Sequence, residues 1–85
     1  MPKLPQISGK ELGRVLTRLS FVFMSQRGSH MKFTRSVAGR KDIIVIPNHK
    51  IIHRGTLLNI LKRLNLGIEK LREIVNDKIG LIIVD

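Results

Sequence analysis

The chain begins with a helical pattern of apolar residues. Four positions spaced three or four apart form its stripe, namely Leu12, Val15, Leu16 and Leu19, and they would share one face of a helix. Ser8 and Glu11 stand three residues apart just before the stripe, which is the spacing of a capping box. The pattern predicts a helix that starts at Ser8, with a basic ridge on another face formed by Lys10, Arg14 and Arg18.

A β-favouring stretch follows and is divided by two turn signals. Gly28 suits the first turn, residues 37–41 contain the second, and Pro47 ends the apolar run that comes afterwards. The strand-like segments between these signals are residues 21–26, 30–35 and 43–46. We therefore predict a β-hairpin and a third antiparallel strand after the first helix.

The last third of the chain returns to helical spacing. Gly55 interrupts the pattern and Thr56 has the side chain of an N-cap, so we expect the second helix to start there. Its stripe continues as far as Asn65 through Leu57, Ile60, Leu61 and Leu64. A third, shorter helix is predicted by Ile68, Leu71, Ile74 and Val75. The apolar tail 79–84 has the composition of a strand, which would pair with a sheet edge or contact another chain.

The order of these elements indicates the fold class. A helix, three antiparallel strands and a helix are expected of an α+β domain of the double-stranded-RNA-binding type, in which helices cover one face of the three-stranded sheet. The 85 residues suffice for one small core. We therefore expect a single domain over residues 1–85.

The charge of the chain lies mostly in its middle. The formal net charge is +10, and residues 12–68 contain eleven lysines and arginines against a single acid, Asp42. Charge of this density attracts phosphates without reading sequence. Nucleic acid is the favoured partner, while a solvated basic surface and a membrane-surface role remain alternatives.

Signals for disulfides, membrane insertion and metal binding are missing from the sequence. There is no cysteine, which fits a reducing compartment. No apolar run approaches the roughly 20 residues of a membrane span, and residues 1–6 lack the pattern of a secretory signal. We expect a cytoplasmic protein that does not contact a membrane. With Asp42 as the one central acid, a two-metal nuclease is disfavoured, and we expect neither metal nor cofactor.

Four short motifs together resemble the HicA family of small toxins. They are Ile7-Ser8-Gly9-Lys10-Glu11-Leu12, Gln26-Arg27-Gly28-Ser29-His30, Pro47-Asn48-His49-Lys50, and Arg54-Gly55-Thr56-Leu57 followed by Ile60-Leu61. Each motif is weak by itself, but their order and spacing make the resemblance specific. It runs from about residue 4 to residue 75, so we expect the core of the domain there and a C-terminal extension at 76–85.

The resemblance implies a function. Members of the family are mRNA interferases from toxin–antitoxin pairs, and they use one histidine in a Gly-Ser-His turn, which makes His30 the implied catalytic residue. The chemistry is consistent, because RNA cleavage needs a base for the 2′-OH proton and imidazole titrates near neutral pH. We expect the 2′-oxygen to attack the neighbouring phosphorus, leaving a cyclic phosphate and a 5′-hydroxyl.

Further residues are candidates for RNA binding. Strand alternation would place Lys32 on the face of His30, about 6 to 7 Å along the strand, where an ammonium can stabilise a phosphorane. Gly28 and Ser29 shape the turn, and Ser29 can also donate to a phosphate oxygen. The resemblance makes His49 an RNA contact, with a second proton-transfer group or a polar loop residue as alternatives. Contacts with backbone phosphates are expected of Arg27, Lys50 and Arg54, which a solvated face would explain equally well.

The partners follow from the same resemblance. It implies an mRNA substrate and a HicB-type antitoxin that covers the basic cleft, and residues 76–85 would serve that contact or a homodimer. A non-catalytic module for double-stranded RNA stays open as an alternative, with His30 as an ordinary turn residue. A DNA-binding protein is the third reading, which the lack of a helix-turn-helix or zinc signature weakens.

Overall fold

Residues 3–76 are described by the computed structural model. In chain order the elements are α1 (Gly9–Arg18), β1 (Val22–Arg27), β2 (His30–Val37), β3 (Arg40–Pro47), α2 (Arg54–Leu64) and α3 (Ile68–Asn76). The strands form one antiparallel sheet in the order β1-β2-β3. This architecture confirms the predicted α+β fold of the double-stranded-RNA-binding type. The strand predicted at 79–84 lies outside the described residues.

The first helix starts with the predicted capping box. The amide of Glu11 donates to the Ser8 hydroxyl at 3.1 Å, and the amide of Ser8 donates to the Glu11 carboxylate at 3.0 Å. Two backbone donors that the helix itself cannot satisfy are thereby paired. The buried apolar face consists of Leu12, Val15 and Leu16, with Leu19 partly buried at the C-cap.

The helices cover one face of the sheet. Met31 and Phe33 of β2 are buried, as are Ile44 and Ile46 of β3. Because side chains alternate along a strand, His30 and the other intervening residues lie on the opposite face. The buried strand residues join one core with residues of the three helices, among them Leu12, Leu16, Leu57, Ile60, Leu61 and Leu71.

Both hairpins have two-residue loops. Gly28 has a φ of 59° in the first loop, while Ala38 and Gly39 have φ values of 52° and 79° in the second. Loops this short allow pairing to start at once, so Arg27 pairs with His30 and Val37 with Arg40. For this reason β3 begins three residues earlier than the apolar run 43–46 predicts.

The predicted start of α2 is wrong. The N-cap is His53, and Thr56 lies inside the first turn of the helix. Tertiary contact explains the shift, since Ile52 is buried and its amide donates to the carbonyl of Ile7 at 2.9 Å. The chain is fixed just before His53, which outweighs the capping preference of Thr56. The helix ends as predicted at Asn65, which has a φ of 53°. Among the described residues, none of the helices has the length and apolarity to cross a membrane.

Candidate active site

His30 is the first residue of β2 and directly follows the hairpin turn. The register places it opposite Arg27 on β1 and opposite Pro47 on β3. Gly28 has a positive φ of 59° in this turn. An added Cβ would meet nothing within 4 Å, so glycine is favoured there by the backbone conformation and not by a lack of space. The side-chain amide of Gln26 donates to the carbonyl of Gly28 at 2.9 Å and braces the loop. His30 is therefore presented at a fixed position at one end of the sheet.

Lys32 lies next to His30 on the face that the helices leave uncovered. We call this surface the helix-free face, and define it by Ser25, Arg27, His30, Lys32, Val45 and Pro47. Lys32 pairs with Ser25 and Val45, in the row next to that of His30. Two residues along a strand separate the His30 and Lys32 backbones by about 6 to 7 Å. The geometry thus brings one imidazole, one guanidinium and one ammonium to adjacent positions on an exposed surface.

The segment 47–50 is fastened to the hairpin turn and to the first helix. The amide of Asn48 donates to the carbonyl of Ser29 at 2.6 Å, and the amide of Gly9 donates to the carbonyl of His49 at 2.8 Å. In the sequence, His30 follows Ser29 and His49 follows Asn48, so the bond between Ser29 and Asn48 brings the two histidines to the same part of the molecule. Three of the four motifs therefore meet in space, since they contain Gly9, Ser29 and Asn48.

Gly9 permits this meeting because it has no side chain. A Cβ at this position would lie 2.7 Å from the Asn48 Cα and would collide with the Pro47 carbonyl oxygen. Both atoms belong to the backbone and cannot rotate away. The start of α1 can approach the segment 47–50 only with glycine at position 9.

Acidic side chains are scarce on the strands of the sheet. Asp42 is the only acid on the three described strands, and it forms ion pairs with Arg35 at 3.7 Å and Arg63 at 3.3 Å. Asp42 pairs with Arg35 in the sheet, five residues and about 17 Å from His30 along β2. Within residues 3–76, no cluster of three or more histidine, aspartate or glutamate side chains could hold a metal ion.

Arg54 lies beside a surface cavity that no residue of the hairpin turn lines. It is the first residue of α2 and lines this cavity of about 650 Å³ together with Lys3 and Arg72. The other residues around this cavity come from the N-terminal segment and α3, and none belongs to the turn. The structure therefore groups Arg27, Gly28, Ser29, Lys32 and His49 around His30, places the exposed Lys50 next to His49 in the chain, and places Arg54 beside the cavity at the start of α2.

The comparison with protein families gives one result. The model of the HicA toxin of bacterial toxin–antitoxin systems matches residues 9–66, well over half of the chain. The chain belongs to the HicA toxin family. This membership indicates the toxin of a toxin–antitoxin pair, and with it a protein partner. No curated protein and no solved structure matches the chain.

Three residues that build the site of this HicA-family toxin had no assigned role in the sequence analysis. Gln26 braces the turn, Asn48 holds the turn to the segment 47–50, and Gly9 admits the first helix. All three stand inside the motifs that carry the resemblance. Their presence there was the available signal, but their contacts join residues that are up to 40 positions apart in the chain.

Proposed function

We propose that this HicA-family toxin is an endoribonuclease that cleaves mRNA, with His30 as its catalytic base and without a metal ion. The observation that carries the proposal is the position of His30 on the helix-free face, opposite Arg27 and beside Lys32. The surface is open, so a long polymer can reach the imidazole. The scarcity of acids on the strands favours a bound phosphate.

The proposed reaction is an internal transfer at phosphorus. His30 accepts the proton of the 2′-OH, the 2′-oxygen bonds to the adjacent phosphorus, and the bond to the 5′-oxygen breaks. The leaving oxygen takes a proton from an acid or from water, so the products are a 2′,3′-cyclic phosphate and a 5′-hydroxyl. His49 is the second candidate for proton transfer, because the bond between Asn48 and Ser29 holds its segment at the turn.

Cationic side chains on the helix-free face would bind the phosphate that reacts. Directly opposed residues in an antiparallel pair have Cα atoms about 4.5 to 5.5 Å apart, so Arg27 and His30 can contact one phosphodiester. Lys32 would stabilise the charge of the phosphorane. Ser29 would donate a further hydrogen bond to a phosphate oxygen, and Lys50 and Arg54 would bind phosphates farther along the RNA.

The proposal includes a cellular setting. An mRNA-cleaving toxin acts in the cytoplasm and must be held inactive by its partner, for which a HicB-type antitoxin is the candidate. An acidic partner surface over Arg27, His30 and Lys32 would exclude RNA by occupying its phosphate contacts. The homodimer expected through residues 76–85 lies outside the described residues and remains a prediction.

A cleavage assay on purified protein tests the catalytic assignment. Wild type, His30→Ala, His49→Ala and His53→Ala are incubated with 5′-labelled RNA in EDTA, and the product ends are analysed. His53 is the matched control, since it is exposed and its side chain makes no capping bond. We expect cleavage by wild type and His53→Ala and loss of activity in His30→Ala. If His49 donates a proton, the activity of His49→Ala should be intermediate. Full activity of His30→Ala, or a requirement for Mg²⁺, would refute the proposal.

The fold itself favours a second candidate function, a non-catalytic module that binds double-stranded RNA. In that case the exposed basic residues of α1 bind phosphates across the duplex, and His30 only closes the turn. Binding of duplex RNA without any cleavage by the wild-type protein would support this alternative. Cleavage that stops in His30→Ala while RNA binding persists would exclude it.

A further inference from the structure

A groove runs between α1 and the first two strands, on the side of the sheet opposite to His30. Its volume is about 560 Å³. The floor is formed by Phe23, Met31 and Phe33, and Lys10 and Arg14 of α1 stand at the rim. We call this the α1–β1 groove and define it by these five residues. It lies outside the surface proposed for RNA cleavage.

The apolar floor of the groove is incompletely covered. At Gly13 of α1, an added Cβ would lie 3.0 Å from the Phe33 ring. Helix α1 thus packs against the Phe33 ring of the central strand at this point. Phe23 is 50% exposed although its ring packs edge-on against Phe33 with centroids 5.6 Å apart. An aromatic ring that is half exposed beside a groove is typical of a binding surface.

The open edge of β1 adjoins this floor. Strand β1 pairs with β2 alone, so its other edge has no strand partner among the described residues. All six residues of β1 are exposed. An unpaired edge offers backbone donors and acceptors to an added strand, and alternate side chains of that strand would enter the neighbouring groove.

We propose that the α1–β1 groove and the edge of β1 bind an extended segment of a partner protein, in which the alternate side chains that face the groove include both apolar and acidic ones. The apolar side chains would cover Phe23 and Met31. The acidic ones would meet Lys10 and Arg14, so the partner complements both features of the groove. The antitoxin is the candidate to supply the segment, and only this last assignment rests on the proposed function.

The charges and the apolar floor of the groove disfavour two other occupants, a second copy of the chain and RNA. A second copy of the chain would bring the same basic rim and a net charge of +10 to the contact, so like charges would repel. RNA would be attracted to Lys10 and Arg14, but its phosphates would gain nothing from contact with the apolar floor. Apolar side chains of a protein do gain from this contact, because they lose water on binding. A protein segment satisfies the floor, the rim and the strand edge together.

Peptide binding to the full-length protein tests the proposal. The probe is a labelled peptide in which every second residue is serine and the positions between are valine with glutamate at both ends, so that valines and glutamates share one face of a strand. Its control has the same composition with the valines, glutamates and serines in separate blocks. Fluorescence anisotropy is measured for wild type, Phe23→Ser and Val45→Ser. Val45 is the matched control, because it is 49% exposed but lies on the helix-free face. We expect Phe23→Ser to weaken binding about tenfold and Val45→Ser to leave it unchanged.

A charge reversal and hydrogen exchange complete the test. Lys10→Glu with Arg14→Glu should weaken peptide binding, whereas Arg40→Glu with Lys41→Glu, at the far hairpin, should affect it less. In wild type, the peptide should slow amide exchange in β1, a readout that does not depend on the folding of any variant. His30→Ala should bind the peptide normally, so loss of catalysis and loss of docking are separate outcomes.

Several results would overturn the proposal. These are no binding of the alternating peptide, equal binding of the block peptide, or equal effects of Phe23→Ser and Val45→Ser. Displacement of the peptide by an RNA oligonucleotide whose own binding needs Phe23 would make the groove an RNA site. A dimer in sedimentation that Phe23→Ser dissociates would make it a contact between copies.

Discussion

At the scale of single residues, Gly9 connects packing with function. Its missing side chain lets α1 approach the segment 47–50, which in turn is bonded to the turn that presents His30. The replacement Gly9→Ala should destabilise the protein by about 1 to 3 kcal/mol, since the added methyl collides with backbone atoms. Urea denaturation measures the change, and the cleavage assay should show a parallel loss of activity.

Gly55→Ala is the matched control for this prediction. Gly55 also lies in the first turn of a helix, but a Cβ there meets nothing within 4 Å. Alanine should therefore be neutral or stabilise by up to about 1 kcal/mol, because it favours the helix and restricts the unfolded chain. Equal destabilisation by the two replacements would show that close approach is not what position 9 requires.

Lys32 provides a second prediction at the residue scale. If its ammonium stabilises the phosphorane, Lys32→Gln should lower the cleavage rate at saturating RNA by about 10- to 100-fold, below the range of well-buried oxyanion donors. Stability should hardly change, since Lys32 is only partly buried. Single-turnover kinetics measure the rate, with Lys41→Gln, at the opposite end of the sheet, as control. An unchanged rate with weaker RNA binding would reduce Lys32 to a phosphate contact.

The residues also show what the sequence can and cannot predict. The capping box of Ser8 and Glu11 and the shared face of His30 and Lys32 depend on neighbours within three positions, so local rules predict them. The start of α2 does not, because the contact between Ile52 and Ile7 overrides the local preference of Thr56. The bonds from Asn48 to Ser29 and from Gly9 to His49 depend on the tertiary fold, and sequence periodicity carries no information on them.

At the scale of elements, the second hairpin contains avoidable strain. Ala38 has a φ of 52°, a left-handed conformation that costs a residue with a Cβ about 1 to 2 kcal/mol. Asparagine tolerates this conformation, and Asn-Gly is the preferred pair for such a loop. We expect Ala38→Asn to stabilise the protein by about 1 kcal/mol, visible as a higher Tm in thermal unfolding.

The first hairpin supplies the opposite comparison. Gly28 has a φ of 59° with open space around it, so Gly28→Ala should destabilise by about 1 to 2 kcal/mol through the backbone alone. This replacement also perturbs the turn that presents His30, whereas Ala38→Asn leaves it untouched. Only Gly28→Ala should therefore affect RNA cleavage. A fall in activity of similar size in Ala38→Asn would contradict this separation of the two hairpins.

At the scale of the whole molecule, the two faces of the central strand β2 belong to two different proposed surfaces. His30 and Lys32 of β2 face the helix-free side, while Met31 and Phe33 of the same strand form the floor of the α1–β1 groove. The period of two residues in a strand makes this division possible. A basic surface for RNA and an apolar groove for a protein segment can thus share one small sheet without overlapping.

The charge of the whole molecule leads to a final prediction, the salt dependence of RNA binding. Each phosphate contact with single-stranded RNA should contribute about 0.7 to the slope of log K against log salt. Lys32→Gln should therefore lower that slope by about 0.7. Lys70→Gln should leave it nearly unchanged, because Lys70 lies on α3 and pairs with Glu73 at 3.5 Å. The measurement uses a catalytically inactive His30→Ala background and several salt concentrations, and equal slopes for the two lysine variants would show that Lys32 does not contact an RNA phosphate.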